Sequence, residues 1–127
     1  MNAEFASIFG RLREILQKHA GALTVAADAA DHYCLAVDDN PKLKKGFPAA
    51  WVTTGKGYVS YHFMPIYMFP KLRDGLSKKL RARMQGKSCF NFKLADEGLF
   101  HELEGLTAQG FAMARNAGFG TAEKAAS

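Results

Sequence analysis

Near the start of the chain the apolar side chains Phe5, Ile8, Phe9, Leu12, Ile15 and Leu16 recur at steps of three and four. That spacing puts them on one stripe of an α-helix, with Arg11, Arg13, Glu14, Gln17 and Lys18 on the other face and Gly21 placed to stop it. From about residue 23 the pattern shortens to runs separated by turn residues, which predicts strands over 23–28, 32–37, 49–54 and 58–63. Asp38-Asp39-Asn40-Pro41-Lys42 reads as a turn that 42–48 continues as an exposed basic loop. Gly55-Lys56-Gly57 reads as a tight hairpin whose glycines tolerate positive φ. Met64-Pro65 ends the fourth strand, and a short helical turn precedes Pro70.

Leu72, Leu76, Leu80 and Met84 step by four, which predicts a basic helix over 71–85 closed by Gly86. Residues 88–93 alternate as a fifth strand, with Phe90 and Phe92 pointing inward. Asp96 is placed as the N-cap of a last helix through Leu99, Leu103, Leu106, Gly110 and Met113, ending at Gly118. The expected order is α-β-β-β-β-α-β-α. Hairpin-sized links between strands predict an α+β fold, an antiparallel sheet of four to five strands with helices packed on one face. Residues 1–119 form one domain in this reading, and 120–127, small and unpatterned, a disordered C-terminal tail.

Composition narrows the class of protein. The 127 residues are 48% hydrophobic and 23% charged, enough to build a core without a metal or a disulfide. Cys34 and Cys89 lie far apart and no CxxC pair is present, which argues against a disulfide scaffold or a zinc ribbon. The N-terminus carries no basic region before an apolar run, and no stretch reaches the 18 or so apolar residues of a membrane span. A cytoplasmic protein without a membrane partner is the expectation.

The net charge of +5 is unevenly placed. Residues 71–87 hold seven bases (Lys71, Arg73, Lys78, Lys79, Arg81, Arg83 and Lys87) against the single acid Asp74, a balance of +6. The other residues hold ten bases and eleven acids, a balance of −1. Those seven side chains are the candidate contacts for nucleic acid or another polyanion, set against the plainer reading of a solvated helix face.

Strand alternation sorts the remaining polar groups. His32 and Cys34 share a face opposite Tyr33, Leu35 and Val37; Tyr58, Ser60 and His62 oppose Val59, Tyr61 and Phe63; Cys89, Asn91 and Lys93 oppose Phe90 and Phe92. One side of the sheet is thus apolar, and the other carries His32, Cys34, Ser60, His62, Cys89 and Asn91. Two histidines and two cysteines there could serve a metal or a nucleophile, or form an ordinary solvated sheet face. A triad such as Cys34, His62 and Asp31 has no local signature, so no catalytic residue, metal ligand or cofactor is assigned. Thr53-Thr54-Gly55-Lys56-Gly57 lacks the spacing of a phosphate loop and lies between two strands rather than opening a helix. The aromatic supply around the sheet leaves a ligand pocket between sheet and basic helix as the favoured site, with Trp51, Tyr61 and Tyr67 as walls and His62 or Arg73 as polar anchor.

The run Tyr58-Val59-Ser60-Tyr61-His62-Phe63-Met64-Pro65, followed by Leu80 to Lys93 between two amphipathic helices, resembles the YdhG-like domains of unknown function over residues 5 to 116. The resemblance implies a small α+β unit with an antiparallel sheet. Some of those relatives are described as frataxin-like iron chaperones, which implies acidic or histidine-lined iron sites. Iron favours carboxylates, and here only Asp28, Asp31, Asp38 and Asp39 cluster, with Lys42, Lys44 and Lys45 nearby. No iron ligand is carried over. The function expected first is a non-enzymatic binding domain that holds a small ligand or a protein partner, as a monomer or a homodimer. Weak polyanion binding through 71–87 is the alternative, and iron delivery is the alternative the resemblance adds.

Overall fold

The computed structural model describes residues 3–37 and 46–118. The turn and loop expected over 38–45, and the tail from 119, lie outside them. Helix α1 spans Ala3–Gln17 and buries the expected stripe, Phe5 through Leu16. It ends before Gly21, which falls within the short 3-10 turn Ala20–Ala22. Helix α4 spans Glu97–Asn116. Its N-cap is Asp96, whose carboxylate accepts from the Leu99 N–H at 3.1 Å. Gly118, at φ 87°, turns the chain out of the helix.

The two long helices lie side by side and run the same way, because their polar contacts advance together along both. The Ala95 N–H donates to Glu4 at 2.8 Å, Arg11 forks onto Glu97 at 2.9–3.1 Å, and Lys18 pairs with Glu104. These exposed pairs set register more than stability, since such pairs are worth about 0–1 kcal/mol each.

Four strands follow α1: β1 Thr24–Ala29, β2 His32–Val37, β3 Phe47–Thr54 and β4 Val59–Phe63. The β3 strand reaches back through Pro48, so part of the expected loop is strand. A bulge lets the proline fit, as the β2–β3 register shifts between Leu35 and Ala36. In the β3–β4 hairpin the Gly55 N–H bonds the Tyr58 carbonyl at 2.9 Å. Neither Gly55 nor Gly57 takes a positive φ, so this turn does not use that freedom.

The largest departure from expectation is the basic segment. No continuous helix covers 71–85. After α2, Met64–Met68, the chain forms a 3-10 turn Pro70–Gly75, a short helix α3 Lys78–Arg81, and strand β5 Met84–Gln85. Asp74-Gly75 ends the first piece and Ser77 starts the second, its hydroxyl accepting from the Leu80 N–H at 3.1 Å. Leu72 and Leu80 still reach the core, so the four-residue step reports burial by separate pieces. Gly86, at φ 77°, closes a hairpin from β5 to β6 Cys89–Phe92 rather than a helix.

The fold is α+β. Its antiparallel sheet has six strands in the order β1-β2-β3-β4-β6-β5, one more than the most expected, because β5 was hidden in the basic segment. Tyr33, Leu35, Val52, Tyr61, Phe63, Phe90 and Phe92 form one core with the apolar stripes of α1 and α4. Cys34 and Ser60 are buried and His62 and Cys89 half-buried, and none of the four joins that packed cluster. No helix among the described residues is long and apolar enough to cross a membrane.

Candidate functional site

Strand pairing turns the sheet's outer face into rows. Cys34 stands opposite Trp51, Trp51 opposite His62, His62 opposite Cys89, and Cys89 opposite Gln85. In the next row His32 faces Thr53, Thr53 faces Ser60, and Ser60 faces Asn91. The Asn91 N–H bonds the Arg83 carbonyl at 2.8 Å, which brings the end of the basic segment onto this face. The residues that alternation assigned to the polar face thus meet across four strands.

Side-chain contacts tie the rows together. The His62 ring stacks on Trp51, with centroids 4.6 Å apart and planes 12° from parallel. Its Nε2 lies 3.8 Å from Cys89 Sγ. Asn91 Oδ1 accepts from the Ser60 hydroxyl at 2.7 Å and from the Cys89 thiol at 3.3 Å, while Asn91 Nδ2 donates to Gln85 Oε1 at 2.5 Å. Burial raises the Cys89 thiol above its ordinary value, only partly offset by the Ser60 hydroxyl, and raises Cys34 as well. Burial, helped by the charge of His32, holds the His62 imidazole below its ordinary value. Both shifts favour the uncharged forms over the thiolate–imidazolium pair of an activated cysteine nucleophile.

Beside these rows an open groove of about 460 Å³ is lined by Tyr58, Arg83, Gln85, Asn91 and Lys93, together with Ala82 and Met84. Tyr58 is 39% exposed. No carboxylate lines the groove, and two cations do.

The expected ligand residues divide. Trp51 and His62 come together as described. Tyr61 points to the opposite face, fully buried, with its hydroxyl 2.5 Å from Thr107 Oγ1; burial raises that phenol well above its usual range. It cannot share a pocket with His62, because neighbouring residues of a strand face opposite ways. Tyr67 is 54% exposed on α2, and Arg73 lies in the 3-10 turn; neither lines the groove. A second groove, about 430 Å³, lies between that turn and α4, lined by Lys71, Leu76, His101 and Glu102 among others, and no expected ligand residue borders it.

The seven bases of 71–87 also part company. Lys71 and Arg73 lie in the 3-10 turn, Lys78, Lys79 and Arg81 in α3, and Arg83 and Lys87 on either side of β5. Lys79 pairs with Asp96 at 3.1 Å, and Arg81 donates to the Arg73 carbonyl at 2.6 Å. Sequence reasoning missed Tyr58, Gln85 and Lys93 as groove residues. Alternation already put Lys93 on the polar face; Gln85 was concealed by the helical reading of its segment.

These features define an α+β domain with a polar, aromatic-flanked sheet face. No protein family, curated protein or solved structure matches the chain.

Proposed function

We propose that the protein is a non-enzymatic binding domain whose outer sheet face takes a small anionic molecule bearing a flat ring, such as a nucleoside monophosphate. The observation that carries this reading is the groove lined by Tyr58, Arg83, Gln85, Asn91 and Lys93, with two cations and no carboxylate. Its volume falls within the roughly 300–1,000 Å³ of small-molecule sites. Tyr58 supplies a ring face for stacking, Arg83 a planar fork and Lys93 a point charge for an anionic group, and the Gln85 and Asn91 amides can orient the ring's polar edge. The shift of the thiol–imidazole pair toward its uncharged forms supports binding over nucleophilic catalysis.

Isothermal titration with adenosine monophosphate, adenosine and inorganic phosphate tests the proposal. The monophosphate should bind best, and Arg83→Ala with Lys93→Ala should weaken it at least about tenfold, the effect of losing one charge-assisted hydrogen bond. Tyr58→Ala should weaken adenosine and the monophosphate alike. Equal affinity in the wild type and the double variant would sink the idea. The alternative, polyanion binding through 71–87, predicts binding that collapses with salt; of its seven bases Lys79 is paired with Asp96 and Arg81 with the Arg73 carbonyl. Kinship with the YdhG-like domains belongs to the same proposal, supported by the helix–sheet–helix order. A reducing, cytoplasmic setting also belongs to it, as it suits the free thiols Cys34 and Cys89.

A further inference from the structure

Next to the groove, His62 and Cys89 face each other directly across the β4–β6 ladder, with Nε2 and Sγ 3.8 Å apart. Bonds of about 2.3 Å to sulfur and about 2.0 Å to nitrogen, the lengths found for zinc, allow the donors of one ion to stand at most about 4.3 Å apart, so a nearly linear two-coordinate ion needs this pair to open by about 0.5 Å. Each donor is held from outside. Trp51, on the neighbouring strand, stacks on the imidazole and fixes its plane. Asn91 Oδ1 holds the thiol, and Asn91 is itself braced by Ser60 and Gln85. The Asn91 contact holds the thiol form and is given up when the proton leaves, so it places Sγ before the ion arrives.

We propose that Cys89 Sγ and His62 Nε2 form a two-donor site for a soft monovalent cation, copper(I) or its redox-inert analogue silver(I).

Charge and coordination number select that class of ion. Among the described residues no three of His, Cys, Asp and Glu come together, so the four-ligand cage of structural zinc is not available. A thiolate favours soft ions, and an imidazole completes a low coordination number suited to a filled d shell. As the S–metal bond forms, the thiol proton leaves to solvent. One thiolate and a neutral imidazole then cancel a single positive charge. A divalent ion would leave a net positive charge in a half-buried site beside Arg83 and Lys93, with no carboxylate lining that groove. Hard iron is disfavoured by the same donors.

The test uses the full chain and copper(I), delivered anaerobically against a copper(I)-specific chelator, with the fluorescence of Trp51, the only tryptophan in the chain, as reporter. One copper(I) should bind per chain, quench Trp51 and release one proton. Cys89→Ser should lower the affinity more than about 100-fold, and His62→Gln should lower it by about 10- to 100-fold. Cys34→Ser should leave both stoichiometry and affinity unchanged. Thermal unfolding of each variant without metal checks its fold. X-ray absorption of the wild-type complex is independent of any variant and should show one sulfur and one nitrogen neighbour. Two sulfur neighbours, undiminished binding in Cys89→Ser, or binding no tighter than that of a free small thiol would each overturn the proposal.

Discussion

On the inner face of the sheet Tyr33, Val52, Tyr61 and Phe90 stand in one row, each almost wholly buried. One residue along each strand, Cys34, Trp51, His62 and Cys89 form a row on the outer face, outside the core. The inner row is held by packing at crystal-like density, where a missing methylene is felt. In the outer row Cys34 is buried, whereas Trp51, His62 and Cys89 are only partly buried and are held by stacking and polar contacts. Because the strand period is two, stability and chemistry sit on adjacent residues, and substitutions one position apart should separate them.

The sharpest way to break this comparison is the pair Phe90→Ala and Cys89→Ala. Phe90 is fully buried, and its truncation should cost about 3–5 kcal/mol in urea unfolding, whereas the half-buried neighbour should cost about 1 kcal/mol or less. Similar costs would mean that the outer row is core as well.

A smaller effect sharpens the inner half. A Cβ at Gly110 would lie 2.5 Å from the Phe63 ring and 3.1 Å from Pro65 Cβ. Gly110→Ala should therefore destabilise by about 1–2 kcal/mol, because overpacking outweighs the roughly 1 kcal/mol of helix propensity gained. On the same helix Gly105 has nothing within 4 Å of such a Cβ, and Gly105→Ala should stabilise by about 0.4–1 kcal/mol. Thermal unfolding of both variants reads the opposite signs.

Tyr61→Phe leaves the Thr107 hydroxyl, fully buried, without its partner and should cost about 1 kcal/mol, with adenosine monophosphate affinity unchanged. A parallel loss of affinity would show that the two faces are coupled. Arg83→Ala is the mirror case. It should change stability by less than about 0.5 kcal/mol while weakening the monophosphate in the same titration.

Much of this architecture was legible in the pattern of residues. The α1 stripe and the Asp96 cap follow from local spacing and appear as expected. Strands β2, β4 and β6 also follow, since their alternation reflects burial on one face. The helix expected over 71–85 is absent because Leu72, Leu76 and Leu80 suit both one helix and a chain of short pieces. What separates the two is non-local: the Ser77 N–H and hydroxyl bond Glu102 of α4 at 2.8 and 2.7 Å, and Met84 and Gln85 pair with β6. Tyr61 and His62, expected to share one pocket, lie on opposite faces, a separation that alternation alone dictates.

The sequence by itself determined which residues share a face, because a side chain's direction depends only on the backbone period around it. It could not determine that β4 lies beside β6, or that β5 extends the sheet. Strand neighbours are chosen by hydrogen bonds between segments distant along the chain and by the core they jointly close. That choice sets His62 against Cys89 and brings Tyr58, Arg83 and Lys93 around one groove.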